Sequence, residues 1–306
     1  MAVSWKVDNF ADRTFKKRQG SGNQVEKTME QFTTVEGLKA GLASRRGSSV
    51  GFVPTMGALH EGHVSLVKRA RAENDTVVVS VFVNPTQFND KEDLRNYPRT
   101  PEADLEVLRA AGADVVFMPS VEEIYPEEDT RIFDFGQIDK VMEGATRPGH
   151  FNGVAQVVSR LFEFVKPDRA YFGEKDFQQI AVIKALVKQL GLNLAIVECP
   201  IVREADGLAL SSRNRLLTPR HRAAAPAIHT ALQEGAAQAG RRSVADVCGA
   251  VTARIEAEPL LKVIYFKLVD EDTLAEVSDW NGTGHVRGCV AVQAGDIRLI
   301  DNMRFL

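Results

Sequence analysis

Residues 51–66 read Gly51-Phe52-Val53-Pro54-Thr55-Met56-Gly57-Ala58-Leu59-His60-Glu61-Gly62-His63-Val64-Ser65-Leu66. The apolar run Val50 to Val53 reads as a buried strand, and Pro54 is expected to stop its hydrogen-bonded ladder. Met56-Gly57-Ala58 is a small-residue turn. Past Gly62, Val64, Leu66, Val67 and Ala70 recur at helical spacing, with Lys68, Arg69 and Arg71 on the other side. The stretch is therefore a strand, a tight turn and a helix that begins at His60 and His63. A helix N-terminus presents unpaired N–H groups and partial positive charge, so it attracts phosphate. Gly57 and Gly62 let a ligand approach the backbone closely.

The stretch carries neither Gly-x-Gly-x-x-Gly nor a Walker loop. Its histidines are three residues apart rather than four, which weakens a zincin reading. Either histidine alone reads as a solvated helix-start residue; the pair after a first strand reads as a ligand-binding device. His-x-Gly-His in this setting resembles the nucleotide-binding motif of the nucleotidyltransferase and class I aminoacyl-tRNA synthetase superfamily. The longer string from Pro54 to His63 resembles the pantothenate synthetase, or pantoate–β-alanine ligase, family. That resemblance implies an ATP site formed by Met56, Gly57, Ala58, Leu59, His60, Glu61, Gly62 and His63.

Outward from this stretch, strands and helices alternate. A helix spans Val35 to Ala43. Thr76 to Val83 is a β-branched strand with little alternation, as expected when both faces are covered. Thr100-Pro101 opens a helix as cap and first residue, and Gly112 ends it. Asp114 to Met118 is a strand, Phe151 to Val165 a helix, Ala170 to Phe172 a strand, Phe177 to Leu190 a helix, and Leu194 to Val202 a strand. This order implies right-handed crossovers and a parallel sheet with helices on both faces. Ligands of such sheets sit beyond the carboxyl ends of the strands. After Val202 the texture changes. Thr218-Pro219 is expected to open one long helix reaching Gly240. A helix from Val244 to Ala257 and strands at Val263–Val269, Cys289–Ala294 and Ile297–Ile300 follow. The fold class is thus α/β, a parallel sheet over residues 29–201 with a small α+β C-terminal domain over 202–306; the resemblance implies that the sheet is Rossmann-like, of the nucleotidyltransferase and class I synthetase type.

Three further strings lie just after strands. Asn84-Pro85-Thr86-Gln87 follows the second; alone it reads as a turn, but carboxamides suit a site that must orient a carboxylate without neutralising it. The family resemblance makes Gln87, with Asn84, a contact to pantoate. Gly173-Glu174-Lys175-Asp176 follows the fourth strand. Lys175 is a point charge for phosphate, whereas Asp176 alone reads as a helix cap. The resemblance assigns the whole string to ATP and Gln179 to pantoate. Leu210-Ser211-Ser212-Arg213 offers two hydroxyls and a guanidinium suited to triphosphate oxygens, or a polar hinge between domains. It resembles the second ATP motif of the family, and Val202 matches a residue beside the adenine. Arg147-Pro148-Gly149-His150-Phe151 precedes a helix and resembles a family loop near the acid pocket; Arg147 is evenly balanced between an anion contact and a surface charge.

Composition bounds the alternatives. At 306 residues with 44% hydrophobic and 26% charged residues, the chain is long enough for two globular domains. A net charge of −3 does not suggest a nucleic-acid partner. Cys199, Cys248 and Cys289 form no Cys-x-x-Cys pair, against a disulfide framework or zinc cluster and in keeping with the cytoplasm. No apolar run approaches the ~20 residues of a membrane span. Residues 1–28 are basic, contain Gly20-Ser21-Gly22-Asn23, and read as a flexible extension or leader.

The resemblance implies a reaction in which pantoate and ATP give a pantoyl adenylate and β-alanine then forms the amide. His60, His63, Lys175, Ser211, Ser212 and Arg213 would be its catalytic residues, with His63 the best candidate for a proton donor. It also implies Mg²⁺ held mainly by phosphates, a homodimer, and a C-terminal lid. A helix N-terminus favours neutral imidazole as hydrogen-bond donor. The rivals are a nucleotidyltransferase acting on a phosphorylated small molecule and a non-catalytic nucleotide-binding regulator; the regulator need not keep Gln87 and Gln179.

Overall fold

A computed structural model describes residues 29–45, 47–281 and 284–306. The basic segment 1–28 lies outside the described residues. The chain runs β1 (Glu30–Phe32), α1 (Val35–Ala43), β2 (Val50–Thr55), α2 (Glu61–Glu73), β3 (Thr76–Val81), α3 (Lys91–Asn96), α4 (Pro101–Ala111), β4 (Val115–Phe117), α5 (Val121–Ile124), α6 (Met142–Thr146), α7 (His150–Val165), β5 (Arg169–Gly173), α8 (Phe177–Gln189) and β6 (Ala195–Cys199). These six strands form one parallel sheet in the order β1-β4-β3-β2-β5-β6.

Both faces of that sheet are buried, and strand alternation sorts the side chains between two cores. Phe52, Val78, Val115, Phe117, Ala170 and Phe172 pack with residues of α1, α7 and α8. Val53, Val77, Val79, Val116 and Tyr171 pack with Val64, Val67 and Ala70 of α2 and Leu108 of α4. Chain order reverses beside β2: β3 and β4 extend the sheet one way, β5 and β6 the other. That reversal is where the carboxyl ends of neighbouring strands part and leave a crevice.

β2 does not stop at Pro54. It continues to Thr55, with Pro54 paired in register with Ser80. The Val50 carbonyl accepts from Asp168 N–H on the β5 side, and the Thr55 carbonyl accepts from Phe82 N–H on the β3 side. Residues alternate sides in a parallel ladder, so Pro54 faces β5. The β5 register covers only Gly51 and Phe52, so the missing N–H has no ladder partner to disappoint.

The C-terminal domain contains α9 (Pro219–Ala224), α10 (Ala227–Ala236), α11 (Val244–Glu256) and an antiparallel sheet, β7 (Leu261–Asp270), β8 (Val286–Ala294) and β9 (Ile297–Arg304). Leu232, Val247, Val251, Ile255, Leu268 and Val290 form its core. The single helix expected over 218–240 is two helices, because Pro226 interrupts it: proline cannot donate to the preceding turn. Side chains of β9 hold the connection that follows β6 and, across to the first domain, the turn that follows β5. Arg203 makes a two-pronged ion pair with Asp301 at 2.6 and 2.9 Å, and Asn302 Nδ2 donates to the carbonyls of Glu174 and Lys175 at 2.8 and 3.0 Å.

Candidate active site

The turn after β2 is held from a distance. Gly57 has φ +80° and Ala58 φ +50°, so both lie in the left-handed region. The buried carboxylate of Asp104, on α4, accepts from Ala58 N–H at 2.9 Å, from Leu59 N–H at 2.8 Å and from the Thr100 hydroxyl at 3.1 Å. Thr100 stands at the cap position of α4, but its hydroxyl serves Asp104 rather than the helix backbone. A side chain at Gly57 would meet Asp104 Oδ2 at 2.9 Å.

This turn delivers His60 and His63 to the start of α2, where they cap the helix reciprocally. His60 Nδ1 accepts from Gly62 N–H at 3.1 Å, and His63 Nδ1 accepts from His60 N–H at 3.3 Å. A ring nitrogen that accepts is bare, so each neutral imidazole carries its proton on Nε2. The rings lie 4.1 Å apart. A Cβ on Gly62 would come within 2.8 Å of the His60 ring. Burial, reinforced by Lys175 and Arg215, lowers His60 from 6.5 to about 4. Burial and the neighbouring His60, Lys175 and Arg215 put His63 well below its usual range. At neutral pH both rings are uncharged Nε2–H donors.

These groups line one cavity of about 230 Å³ at the chain reversal beside β2. Lys175 and Asp176, after β5, form another wall. Asp176 precedes α8 but accepts no backbone N–H; its carboxylate lies 3.5 Å from Lys175 Nζ. Ser211, Ser212 and Arg213 enter from the C-terminal side. Ser212 Oγ donates to the Ala58 carbonyl at 3.0 Å, and Arg215 donates to the Leu59 carbonyl at 3.0 Å. Asp93 of α3 accepts from Arg213 Nε and Nη2 at 3.2 and 2.8 Å, while Tyr97 lies under the guanidinium, 5.5 Å from ring centroid to Cζ. The far end is amide-rich. Gln87 and Gln179 line it, and Asn84 Nδ2 donates to Gln87 Oε1 at 3.2 Å.

The sequence model of the Pantoate-beta-alanine ligase family matches residues 27–304. The chain belongs to the pantoate–β-alanine ligase family. It is 57% identical over 279 residues to the pantothenate synthetase of Porphyromonas gingivalis, covering 90% of this chain and 99% of that protein. Among solved structures, the pantothenate synthetase of Thermus thermophilus superposes with a TM-score of 0.86 at 48% identity, over 90% of this chain and 99% of that one. A pantoate–β-alanine ligase from Francisella tularensis, solved with β,γ-ATP and β-alanine, superposes with a TM-score of 0.78 at 37% identity, covering 91% and 98%.

Within this ligase fold, most residues expected at the site meet around the cavity: Met56, His60, Gly62, His63, Asn84, Gln87, Gly173, Lys175, Asp176, Gln179, Val202, Leu210, Ser211, Ser212 and Arg213. Five expected nucleotide residues do not line it. Gly57, Ala58 and Leu59 form the supporting turn behind the histidines, and Glu61 is exposed in the first turn of α2. Glu174 turns toward Arg287 of β8, 3.8 Å away. Asn84 reaches the cavity wall but is consumed internally: besides Gln87 it donates to the Gly153 carbonyl, and Tyr125 donates to its Oδ1 at 2.9 Å.

Sequence reasoning missed Tyr97, Asp93, Asp104 and Arg215, left Arg147 undecided, and placed His150 in the loop beside the acid pocket without giving it a role. Arg147 lines the cavity beside His150. His150 Nδ1–H donates to the Gln87 carbonyl at 2.8 Å, so its bare Nε2 receives Arg147 Nη1 at 3.2 Å. Burial and then Arg147 bring His150 down from 6.5 to about 4. Three histidines thus bind protons more readily unfolded than folded. Their contribution to stability is present above pH 6.5 and is lost as pH falls, for His60 and His150 toward about 4. Urea unfolding at stepped pH should show stability decreasing across that window, and less steeply in His150→Gln; an equal slope in the variant would contradict the assignment.

Proposed function

We propose that this chain condenses (R)-pantoate with β-alanine at the expense of ATP, giving pantothenate, AMP and pyrophosphate through a pantoyl adenylate. The observation that carries this reading is one cavity lined both by the histidine, Lys175 and Ser211–Arg213 groups and by the Gln87–Gln179 end. Family membership supplies the reaction class.

Alignment and charge stabilisation are what phosphoryl-type transfers need from protein, and no protein nucleophile is required. The pantoate carboxylate attacks the α-phosphorus, and pyrophosphate leaves. The Nε2–H groups of His60 and His63 donate to phosphate oxygens as negative charge builds, with His63 the proton donor. Lys175 and Arg213 attract the triphosphate, and Ser211 adds a hydroxyl. Ser212 fastens the phosphate loop to the histidine turn through Ala58. Gln87 and Gln179 hold pantoate without neutralising its carboxylate. The β-alanine amine then attacks the acyl carbon and AMP leaves.

For Mg²⁺, the carboxylate available in the cavity wall is Asp176. Among the described residues no cluster of three or more His, Cys, Asp or Glu is arranged to hold a metal. That donor set fits an ion that arrives on the triphosphate and keeps its waters. When bound, Mg²⁺ neutralises phosphate charge. A homodimer in the cytoplasm, a domain division near Val202 and closure of the C-terminal domain over ATP complete the proposal. No helix among the described residues is long and apolar enough to cross a membrane.

Isotope transfer tests the chemistry. Pantoate labelled with ¹⁸O in its carboxylate should yield AMP bearing one labelled oxygen and unlabelled pyrophosphate. Label in inorganic phosphate, with ADP as product, would overturn the adenylate route. Gln87→Ala and Gln179→Ala should each raise the pantoate requirement while ATP affinity stays nearly unchanged by calorimetry. Lost ATP affinity with unchanged pantoate affinity would contradict their assignment.

A further inference from the structure

A buried ion network crosses from the C-terminal sheet to the amide-rich end of the cavity. It centres on Glu143 of α6, which is 7% exposed. The backbone of Glu143 is fixed from the first domain: its N–H donates to Gln178 Oε1 at 3.0 Å, and Gln178 Nε2 donates to the carbonyls of Ile138 and Val141. The carboxylate is held from the other domain. Arg298 of β9 donates to Oε1 at 2.5 Å and to the Thr146 hydroxyl at 2.9 Å, while the Tyr265 hydroxyl of β7 donates to the same Oε1 at 2.9 Å. Oε2 faces Arg147 Nη1 at 3.6 Å, beyond direct hydrogen-bond length. Arg147 continues to His150, and Arg147 Nη2 and His150 Nδ1 converge on the Gln87 carbonyl at 3.4 and 2.8 Å.

We infer that Arg298 and Tyr265 of the C-terminal domain, acting through Glu143, are positioning residues for Arg147 and the pantoate end of the cavity. The inference rests on the reaction proposed above. A buried carboxylate beside two guanidinium groups is drawn to both. Arg298 and Tyr265 occupy one oxygen and so share its charge. Arg147 therefore stands off the carboxylate and stays against His150 and Gln87. Removal of Arg298 frees Glu143 to close on Arg147 and withdraw that cation from the cavity wall. The C-terminal domain, expected to act on the nucleotide, thereby also sets the geometry of the acid pocket.

The test uses the full chain and pantoate-dependent exchange of pyrophosphate into ATP, which reports adenylate formation without β-alanine. Arg298→Met should raise the KM for pantoate roughly tenfold, the size of a coupling between neighbouring charges, with the KM for ATP within about twofold. Once Arg147 is gone, Arg298 has nothing to position. The pantoate KM of Arg147→Met should therefore match that of the double variant. A general structural defect predicts a lower kcat and melting temperature with both KM values unchanged, and that result would overturn the inference. So would effects of the two substitutions that simply multiply. Should Arg298→Met not fold, Tyr265→Phe decides: it removes one hydroxyl and should raise the pantoate KM roughly twofold to fivefold, and an unchanged value would refute the role. Wild-type exchange that ignores pantoate would overturn the reaction assignment and this inference with it. A pantoate requirement in the wild type that is unaltered in both variants would overturn the inference alone.

Discussion

Replacing His63 with alanine should slow adenylate formation by roughly two to three powers of ten, the loss of about 3–4 kcal/mol that follows removal of one donor to developing charge. Pantoate binding should change far less. The substitution removes two things at once, because His63 Nδ1 also caps α2 through His60 N–H. Two variants separate them. An asparagine amide reaches about as far as Nδ1, so His63→Asn can keep the cap while losing the outward donor. A glutamine amide reaches about as far as Nε2, so His63→Gln can keep a donor near its place. Rapid-quench measurement of pantoyl adenylate should rank wild type, Gln, then Asn with Ala. An Asn variant as fast as wild type would leave only the cap and sink the catalytic role.

Asp104→Ala should cost stability and activity together, although Asp104 touches no cavity surface. Its carboxylate is 2% exposed and satisfies the N–H groups of Ala58 and Leu59. Each buried donor left without a partner costs about 1–3 kcal/mol, so a loss of about 2–4 kcal/mol in urea unfolding is expected. The turn it releases carries two left-handed residues and positions both histidines. Activity should therefore fall more than tenfold even where the variant is fully folded. Asp104→Asn should be intermediate, since one amide cannot accept in both places without turning an NH₂ group against an N–H. Full activity in folded Asp104→Ala would show that the turn holds itself.

The sheet was legible because its strands are continuous apolar runs, and both faces proved covered, with Phe52 and Val53 going to opposite cores. Pro54 and Pro226 show the two sides of one rule. In β2 the proline faces a side where pairing has ended, so the strand continues; in the middle of an alanine-rich helix the same missing donor divides it. β1 escaped notice because three residues carry no usable alternation. At the site, residues within recognisable strings could be read, whereas Asp104, Asp93 and Glu143 act across long sequence separations and carry no local signal. His150 follows the Arg147-Pro148-Gly149 turn and had a signal: a histidine opening an apolar helix beside a candidate anion site. The three-residue separation of His60 and His63, read as too short for a zincin, is the separation between a cap and the third helical residue, so spacing held the answer in a different grammar.

The reciprocal histidine cap also makes this molecule its own spectroscope. Each ring offers one bare nitrogen, tied to the backbone, and one protonated nitrogen aimed elsewhere. Imidazole ¹⁵N resonances should therefore show a single tautomer for both rings, without averaging and without movement through neutral pH. An anion that docks at the start of α2 against the two rings meets their Nε2 protons, so their resonances should shift on docking. The pair can thus report, from the protein's own nitrogen and with no label on the ligand, which small molecules reach the phosphate cradle and which settle only at the amide end.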